Sequence, residues 1–426
     1  MIGGLVLLFL GVILLGLPIV YALGGLAAIV MVWQEIFNPV TIAHNMYAGL
    51  DSFPLLAVPF FMLAGSIMEE AKITKRLMDF AYELVGRFAG GMAHVAILLA
   101  MLFAAMCGSA VATAAAIGAL LLPTMRERGY DDGFSSALIA CGGAIGPIIP
   151  PSIPMIIYAV IAGVSVKRMF LGGVVPGIAF GLVLMVYSFF YAKKHNYPRE
   201  TEALTLKDFW NSFKRAFLAL LLPVIILGGI FSGIFTATES AAVAAFYALI
   251  LGFFVYRTIS LKQMPKILLS AAKGTATVMI IVAAASALAW VLTSQQIPQK
   301  IATSIMAMTD NSTVVLILLN LLILVLGCFI DAVSIIMLLS PIVLTVITRM
   351  GVDPVFFGVL LTVNVCIGAL TPPVGTCLFV ASKAGNTRLA DTCRAVIPMV
   401  GLVVMVLLLC ILFPGLVLGL PNLAGV

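Results

Sequence analysis

Apolar residues come in long uncharged runs along this chain, separated by short stretches that carry nearly all of the charge. The runs from Gly133 to Val166 and from Pro354 to Ser382 hold no Asp, Glu, Lys or Arg. Runs of that length read as membrane-crossing helices, for which about 20 apolar residues suffice. Both are nevertheless interrupted near the middle, by "GGAIGPIIPPS" (142–152) and by "GALTPPVGT" (368–376). Proline removes a backbone donor, and an open backbone group is most costly in hydrocarbon, so each interruption predicts a broken helix rather than a continuous span.

The two interruptions are copies. Sliding the chain against itself by 222 positions pairs Gly129 with Gly351, Asp131 with Asp353, Phe134 with Phe356 and Gly146 with Gly368. It also pairs Pro150 and Pro151 with Pro372 and Pro373, and Ala162-Gly163 with Ala384-Gly385; eleven identities fall in the 35 positions 129–163. A composition this biased gives roughly one identity in ten by chance, so the chain is read as an internal repeat. Further on, Pro176 matches Pro398.

Charge then orients the halves. Segments 71–87, 126–128, 193–215, 257–273 and 383–394 contain 19 of the 23 Lys and Arg residues, whereas 34–53 has none and 294–312 only Lys300. Placing the basic segments in the cytoplasm makes segment 93–125 enter and leave on that side, as a re-entrant hairpin bending at "CGSAVAT" (107–113). Segment 313–349 must enter and leave on the outer side, bending at "GCFID" (327–331). One hairpin opens inward and the other outward, which is an inverted-topology repeat. Residues 1–192 form the first repeat, with broken helix 133–163; residues 193–216 form a cytoplasmic linker. Residues 217–426 form the second repeat, with broken helix 354–382. Lys167 and Arg168 fall on the outer side and break the charge rule. Residues 217–256 predict two helices hinged at "GIFTATES" (233–240), where Glu239 suits a capping role. Their counterparts are 2–16 and 19–33, which places the amino terminus outside. The first of these lacks a basic leader and reads as a retained helix, not a signal peptide.

Composition fixes the class and removes others. Hydrophobic residues make up 63% of the chain and charged residues 9%, against about a quarter charged in soluble domains. The fold class is an all-α polytopic membrane protein. The net charge of +6 is scattered through loops, with no basic stripe for nucleic acid. The seven cysteines stand singly in apolar segments, without metal or disulfide spacing. The phosphate-loop, HExxH, GxSxG and GxGxxG patterns are missing, so ATP use and enzymatic chemistry are not expected. His94 reads as a polar helix-end residue.

Irregular backbone at membrane depth is tolerated where it is buried in protein or lines a wet cavity. Two breaks and two hairpin tips therefore point to one site. Carbonyl-rich helix ends suit a bare cation and N–H-rich helix starts suit an anion. Polar side chains gather there: Ser109 and Thr113, Ser152, Asp331 and Ser334, Thr371 and Thr376. Asp331 is an acid at membrane depth and reads as functional, with a helix cap as its alternative. The hydroxyls have a local alternative too, the carbonyl four residues back.

"GSAVATAAAIGALLLPTM", "GPIIPPSIPMIIY", "GIFTATESAAVAAFYA" and "IGALTPPVG" resemble the large membrane subunit of the tripartite ATP-independent periplasmic (TRAP) transporters, across essentially the whole chain. The resemblance implies an elevator-type fold, in which hairpins and broken helices slide within a scaffold. It implies sodium-driven uptake of an organic acid across the bacterial inner membrane, with Na+ as coupling ion and no other cofactor or metal. It also implies two partners, a small four-helix membrane subunit and a periplasmic substrate-binding protein. One sodium site would involve Gly108, Ser109, Gly146 and Pro150, and a second Gly327, Asp331, Gly368 and Thr371. Substrate would lie near Thr113, Ser152, Ser334 and Thr376. "PPSIPMIIY" is similar to sugar-acid branches, sialic acid among them. The Asp331-Ala332 pair stands where the C4-dicarboxylate branch carries Glu-Pro. The alternative is a stand-alone sodium/anion carrier of the divalent-anion type, without a binding protein.

Overall fold

The computed structural model describes residues 17–197, 206–307 and 311–425, together with Gly11 and Thr309. The predicted helix 2–16 and part of the linker lie outside the described residues, which are helical throughout with no strand among them. Helices α1 (Ile19–Trp33), α2 (Pro39–Leu50), α3 (Ala57–Glu70) and α4 (Ile73–Val85) lead to a pair joined by a tight turn, α5 (Gly91–Cys107) and α6 (Ala110–Glu127). A broken helix follows, α7 (Asp132–Ile145) and α8 (Ile153–Ala162), then the long α9 (Val166–Lys194). The second half runs α10 (Leu206–Ser232), α11 (Ala237–Ile250), α12 (Met264–Ser294) and α13 (Ile297–Met306). It continues with the pair α14 (Ser312–Gly327) and α15 (Ala332–Arg349), and the broken helix α16 (Pro354–Gly368) and α17 (Thr376–Ala384). Helices α18 (Leu389–Leu412) and α19 (Gly415–Leu423) close the chain.

Seven helical stretches are long and apolar enough to cross a membrane, α9, α10, α12 and α18 among them. The broken-helix pieces are not. At 1.5 Å per residue α7 reaches about 21 Å and α8 about 15 Å, short of a core of about 30 Å. They are held inside protein instead: every residue from Gly133 to Ile145 and from Val355 to Gly368 is buried. A helix apolar on all sides belongs at the centre of the assembly. Around this centre the halves exchange arms. Helix α5 packs on α7 and α14 on α16, while α6 packs on α17 and α15 on α8. A frame in which α1, α2 and α3 pack on α12 and α11 packs on α3 stands against this body, with α12 touching α15.

The contacts also sort the loops by side. Arg128 donates to the Tyr82 hydroxyl (2.9 Å), Arg126 to the Gly385 carbonyl (2.6 Å), and the Asp131 amide to the Tyr197 hydroxyl (3.0 Å). Lys266 pairs with Glu70 at 2.8 Å, and Phe209 and Phe213 lean on Phe80. All five basic segments thus meet on one face. The opposite face gathers Ser312 on the Met350 carbonyl, Arg349 on Thr303, and Arg168 on Asp353. Arg168, an exception to the charge rule, has its charge matched there at 3.4 Å by the acid that caps α16.

One element differs from the sequence reading. The linker was expected to run to residue 216, but α10 already starts at Leu206. Phe209 and Trp210 both stack on Phe213, which meets Phe217 edge-on, and these contacts three or four positions apart extend the helix into the basic segment. In the first half the counterpart of the continuous α12 is split. Helices α2 and α3 are separated at Asp51–Leu56 by a 3-10 turn containing Pro54. Elsewhere the caps follow the sequence, as in the reciprocal Thr236–Glu239 capping box that starts α11.

Candidate functional site

At the first tip, α5 ends at Gly108, whose φ of 64° is a left-handed conformation suited to glycine. The bare Cα also admits the opposing break, since a Cβ there would lie 2.5 Å from the Pro151 carbonyl oxygen. Ser109 starts α6 by accepting from the Ala112 amide (3.4 Å). At the end of α7, a Cβ on Gly146 would stand 2.9 Å from the carbonyl oxygens of both Gly143 and Ser109. The Pro150–Pro151 bond is cis, and Ser152 then caps α8 by accepting from the Met155 amide (3.2 Å). Gly108, Ser109, Gly146 and the Pro150–Pro151 segment are therefore one assembly of closely packed backbone.

The second tip repeats it. Gly327 and Gly368 touch backbone to backbone. The Val374 amide donates across to the Cys328 carbonyl at 3.3 Å, joining tip to break. Pro372–Pro373 is also cis. Asp331 caps α15, its carboxylate accepting from the Ser334 amide (3.1 Å) and the Ser334 hydroxyl. The start of α17 differs: Gly375 precedes it, no side chain caps it, and the Cys377 amide donates instead to the Ala369 carbonyl (3.1 Å).

Between the tips lies a cavity of about 170 Å³. The starts of four half-helices reach it, through Ser109 and Ala110 of α6, Ile153 and Pro154 of α8, Ala332 and Val333 of α15, and Thr376 of α17. Each brings the positive end of a helix dipole. Among the described residues Asp331 is the only charged side chain on the lining, where the other polar groups are Ser109, Thr376 and the Cys366 thiol. The frame contributes Met62 from α3 and Val278 from α12. A second cavity of about 240 Å³ continues along the same seam, lined by Val282 and Ser286 of α12, Met337 and Pro341 of α15, and Ser52.

The residues singled out in the sequence separate into three groups here. Gly108, Ser109, Asp331 and Thr376 line the cavity. Gly146, Pro150, Gly327 and Gly368 build the backbone contacts behind it. Thr113, Ser152 and Ser334 are buried with their hydroxyls engaged locally: Thr113 donates to the Ser109 carbonyl (2.7 Å), Ser152 caps α8 and Ser334 donates to Asp331. Thr371 likewise donates to the Ile367 carbonyl, four residues back, at 2.9 Å. The Met62 and Val278 walls carried no sequence signal, since both are ordinary apolar residues in ordinary spans.

Residues 6–416 match the family described as the tripartite ATP-independent periplasmic transporter, DctM component. The chain belongs to this family. It is 40% identical over 415 residues to the sialic acid TRAP transporter large permease protein SiaM of Vibrio cholerae, covering 97% of both chains. It is also 40% identical over 417 residues to the 2,3-diketo-L-gulonate TRAP transporter large permease protein YiaN of Escherichia coli, covering 97% of this chain and 98% of that one. Among solved structures, the YdaH transporter of Alcanivorax borkumensis matches with a TM-score of 0.66 over 96% of this chain and 98% of that chain, at 14% identity. That likeness concerns the fold alone. As a TRAP large permease the chain is a multi-pass membrane transporter component and not an enzyme, and it works as one part of a three-part system.

Proposed function

We propose that this permease carries out sodium-coupled uptake of an organic acid across the bacterial inner membrane by an elevator movement. A periplasmic binding protein delivers the substrate, and a small four-helix membrane subunit completes the scaffold. The observation that carries the reading is the convergence of four helix starts, two from each half of the chain, on one cavity. In membrane terms the pairs α5–α6 and α14–α15 are re-entrant hairpins.

Each break supplies two kinds of group. Carbonyls around Gly108, Ser109, Gly146 and Pro150, and around Gly327, Gly368 and Thr371, suit sodium, with Asp331 adding charge at the second site. The helix starts suit the substrate carboxylate, and α17 at Thr376 is the start whose amides no side chain has taken. Thr113, Ser152 and Ser334 then act by holding the helix starts in place rather than by touching substrate. A sugar acid is favoured over a C4-dicarboxylate. The cavity offers no basic side chain for a second carboxylate, and two relatives carry the names of sialic acid and diketogulonate.

Two sodium ions and a monovalent acid would enter with net positive charge, and each such charge gains about 2.3 kcal/mol per 100 mV. Reconstituted with its small subunit, the permease should need a sodium gradient, an inside-negative potential and the loaded binding protein. Uptake of free substrate without the binding protein would reject the tripartite mechanism in favour of a stand-alone carrier. Uptake indifferent to sodium would reject the coupling.

A further inference from the structure

Two amides are buried at membrane depth in the second half, Asn320 on α14 and Asn364 on α16. The Asn364 Nδ2 donates to both the backbone carbonyl (2.7 Å) and the Oδ1 (2.8 Å) of Asn320. Asn320 in turn donates from Nδ2 to the Leu316 carbonyl at 2.8 Å. Helix α14 is thereby tied to α16 by side chains as well as by packing. The matched positions of the first half, 222 residues earlier, are Leu98 and Gly142. There α5 and α7 meet through small residues instead, a Cβ on Gly142 lying 3.0 Å from that of Ala100.

The amide pair is an expensive way to join two helices. The Asn364 Oδ1 is buried and accepts no hydrogen bond, so the clamp leaves an acceptor open in a low dielectric. An apolar pair like that of the first half would avoid this cost. Position explains the choice better than stability. Asn364 stands four residues, one turn, before Gly368, and Asn320 seven residues, two turns, before Gly327. The clamp therefore fixes the register of α14 on α16 just before the point where the two glycines touch.

We propose that Asn364, acting with Asn320, is a positioning residue for the second ion site: it holds the tip and the break at a fixed separation before the cation arrives. The inference rests on the sodium-coupled reading above. It makes the two sites unequal, the second preorganised by an amide clamp and the first formed by packing of small residues.

The isosteric variants separate the clamp from general packing. Asn364→Asp puts a carboxyl oxygen in place of the Nδ2 donor, and once ionised that oxygen faces both Asn320 acceptors. The half-saturating sodium concentration for uptake should rise about tenfold, with the substrate KM at saturating sodium unchanged. Acidification protonates the new carboxyl, restores one donor and should bring the sodium value back toward wild type. Asn320→Asp keeps both acceptors and should shift it far less. The double variant Asn320→Leu/Asn364→Leu makes the pair apolar at similar side-chain size, and should keep expression and thermal stability while still needing more sodium. Wild-type sodium dependence in Asn364→Asp and in the double variant would overturn the clamp. An equal loss of sodium and substrate affinity would also overturn it, in favour of a purely structural role. Sodium-independent uptake by the unaltered permease would instead defeat the coupling reading and this inference with it.

Discussion

Gly327 and Gly368 leave no room for a side chain between them: a Cβ on Gly368 would stand 2.6 Å from the Cα of Gly327, and one on Gly327 2.9 Å from the Cα of Gly368. The neighbours in question are backbone atoms, which cannot step aside as a rotamer can. Overpacking of this kind costs about 1–3 kcal/mol. Gly368→Ala should lower the melting temperature and abolish or strongly weaken sodium-dependent uptake, because the second tip is pushed off its break. Gly401→Ala, in α18 with nothing within 4 Å of the new Cβ, is the matched control and should behave as wild type.

Asp331 carries two roles that one substitution can divide. Asparagine is as good a helix cap as aspartate, so Asp331→Asn should cost only a few tenths of a kcal/mol in stability. The lost charge should nevertheless raise the sodium requirement for uptake steeply. A sodium titration of the variant, at wild-type expression, decides between the roles; an unchanged curve leaves Asp331 as a cap.

Tyr158 fills the space that Gly358 leaves open. Its hydroxyl donates to the Pro354 carbonyl at 2.8 Å, and a Cβ on Gly358 would lie inside the van der Waals envelope of the ring. Gly358→Ala should destabilise the protein by about 1–3 kcal/mol, measured by thermal unfolding in detergent. Tyr158→Phe, which keeps the ring and loses one hydrogen bond, should cost about 1 kcal/mol. Shortening the ring in Gly358→Ala/Tyr158→Leu should recover part of the loss, as expected for residues in direct contact.

The two faces defined by the loop contacts are open to chemical mapping. In a background without the seven native cysteines, His44→Cys and Ser304→Cys should react with an impermeant thiol reagent in intact cells. Asn196→Cys and Lys262→Cys should react only after the cells are opened. Labelling at position 196 from outside would break the inverted arrangement.

The sequence disclosed the breaks, the tips and the grouping of the basic loops because each leaves a mark of its own: Pro-Pro within an uncharged run, a 222-residue echo, clustered Lys and Arg. Helix ends at Gly108 and Asp331 were equally legible, since a left-handed glycine and a capping acid are local signals. Hydroxyl roles were less so. Thr113 and Thr371 look like ligands by type, yet each spends its proton on a carbonyl of its own helix, a choice that depends on rotamer. The amides of Asn320 and Asn364 were visible as polar residues in apolar runs, but only the packing of α14 on α16 shows that they meet. The split between α2 and α3 has no copy in the continuous α12, so the internal repeat carries no mark of it.

The cavity's walls are chemically lopsided. Its charged and hydrogen-bonding side chains, Ser109, Thr376 and Asp331, sit on the tips and breaks, while the frame offers Met62 and Val278. A hydrocarbon surface has no preferred register: sliding past it by one turn exchanges one greasy contact for another and severs no directional bond. Any displacement of the inner body against the frame therefore takes a passenger's polar grip along intact, and meets the friction of an oiled bearing rather than that of a ratchet.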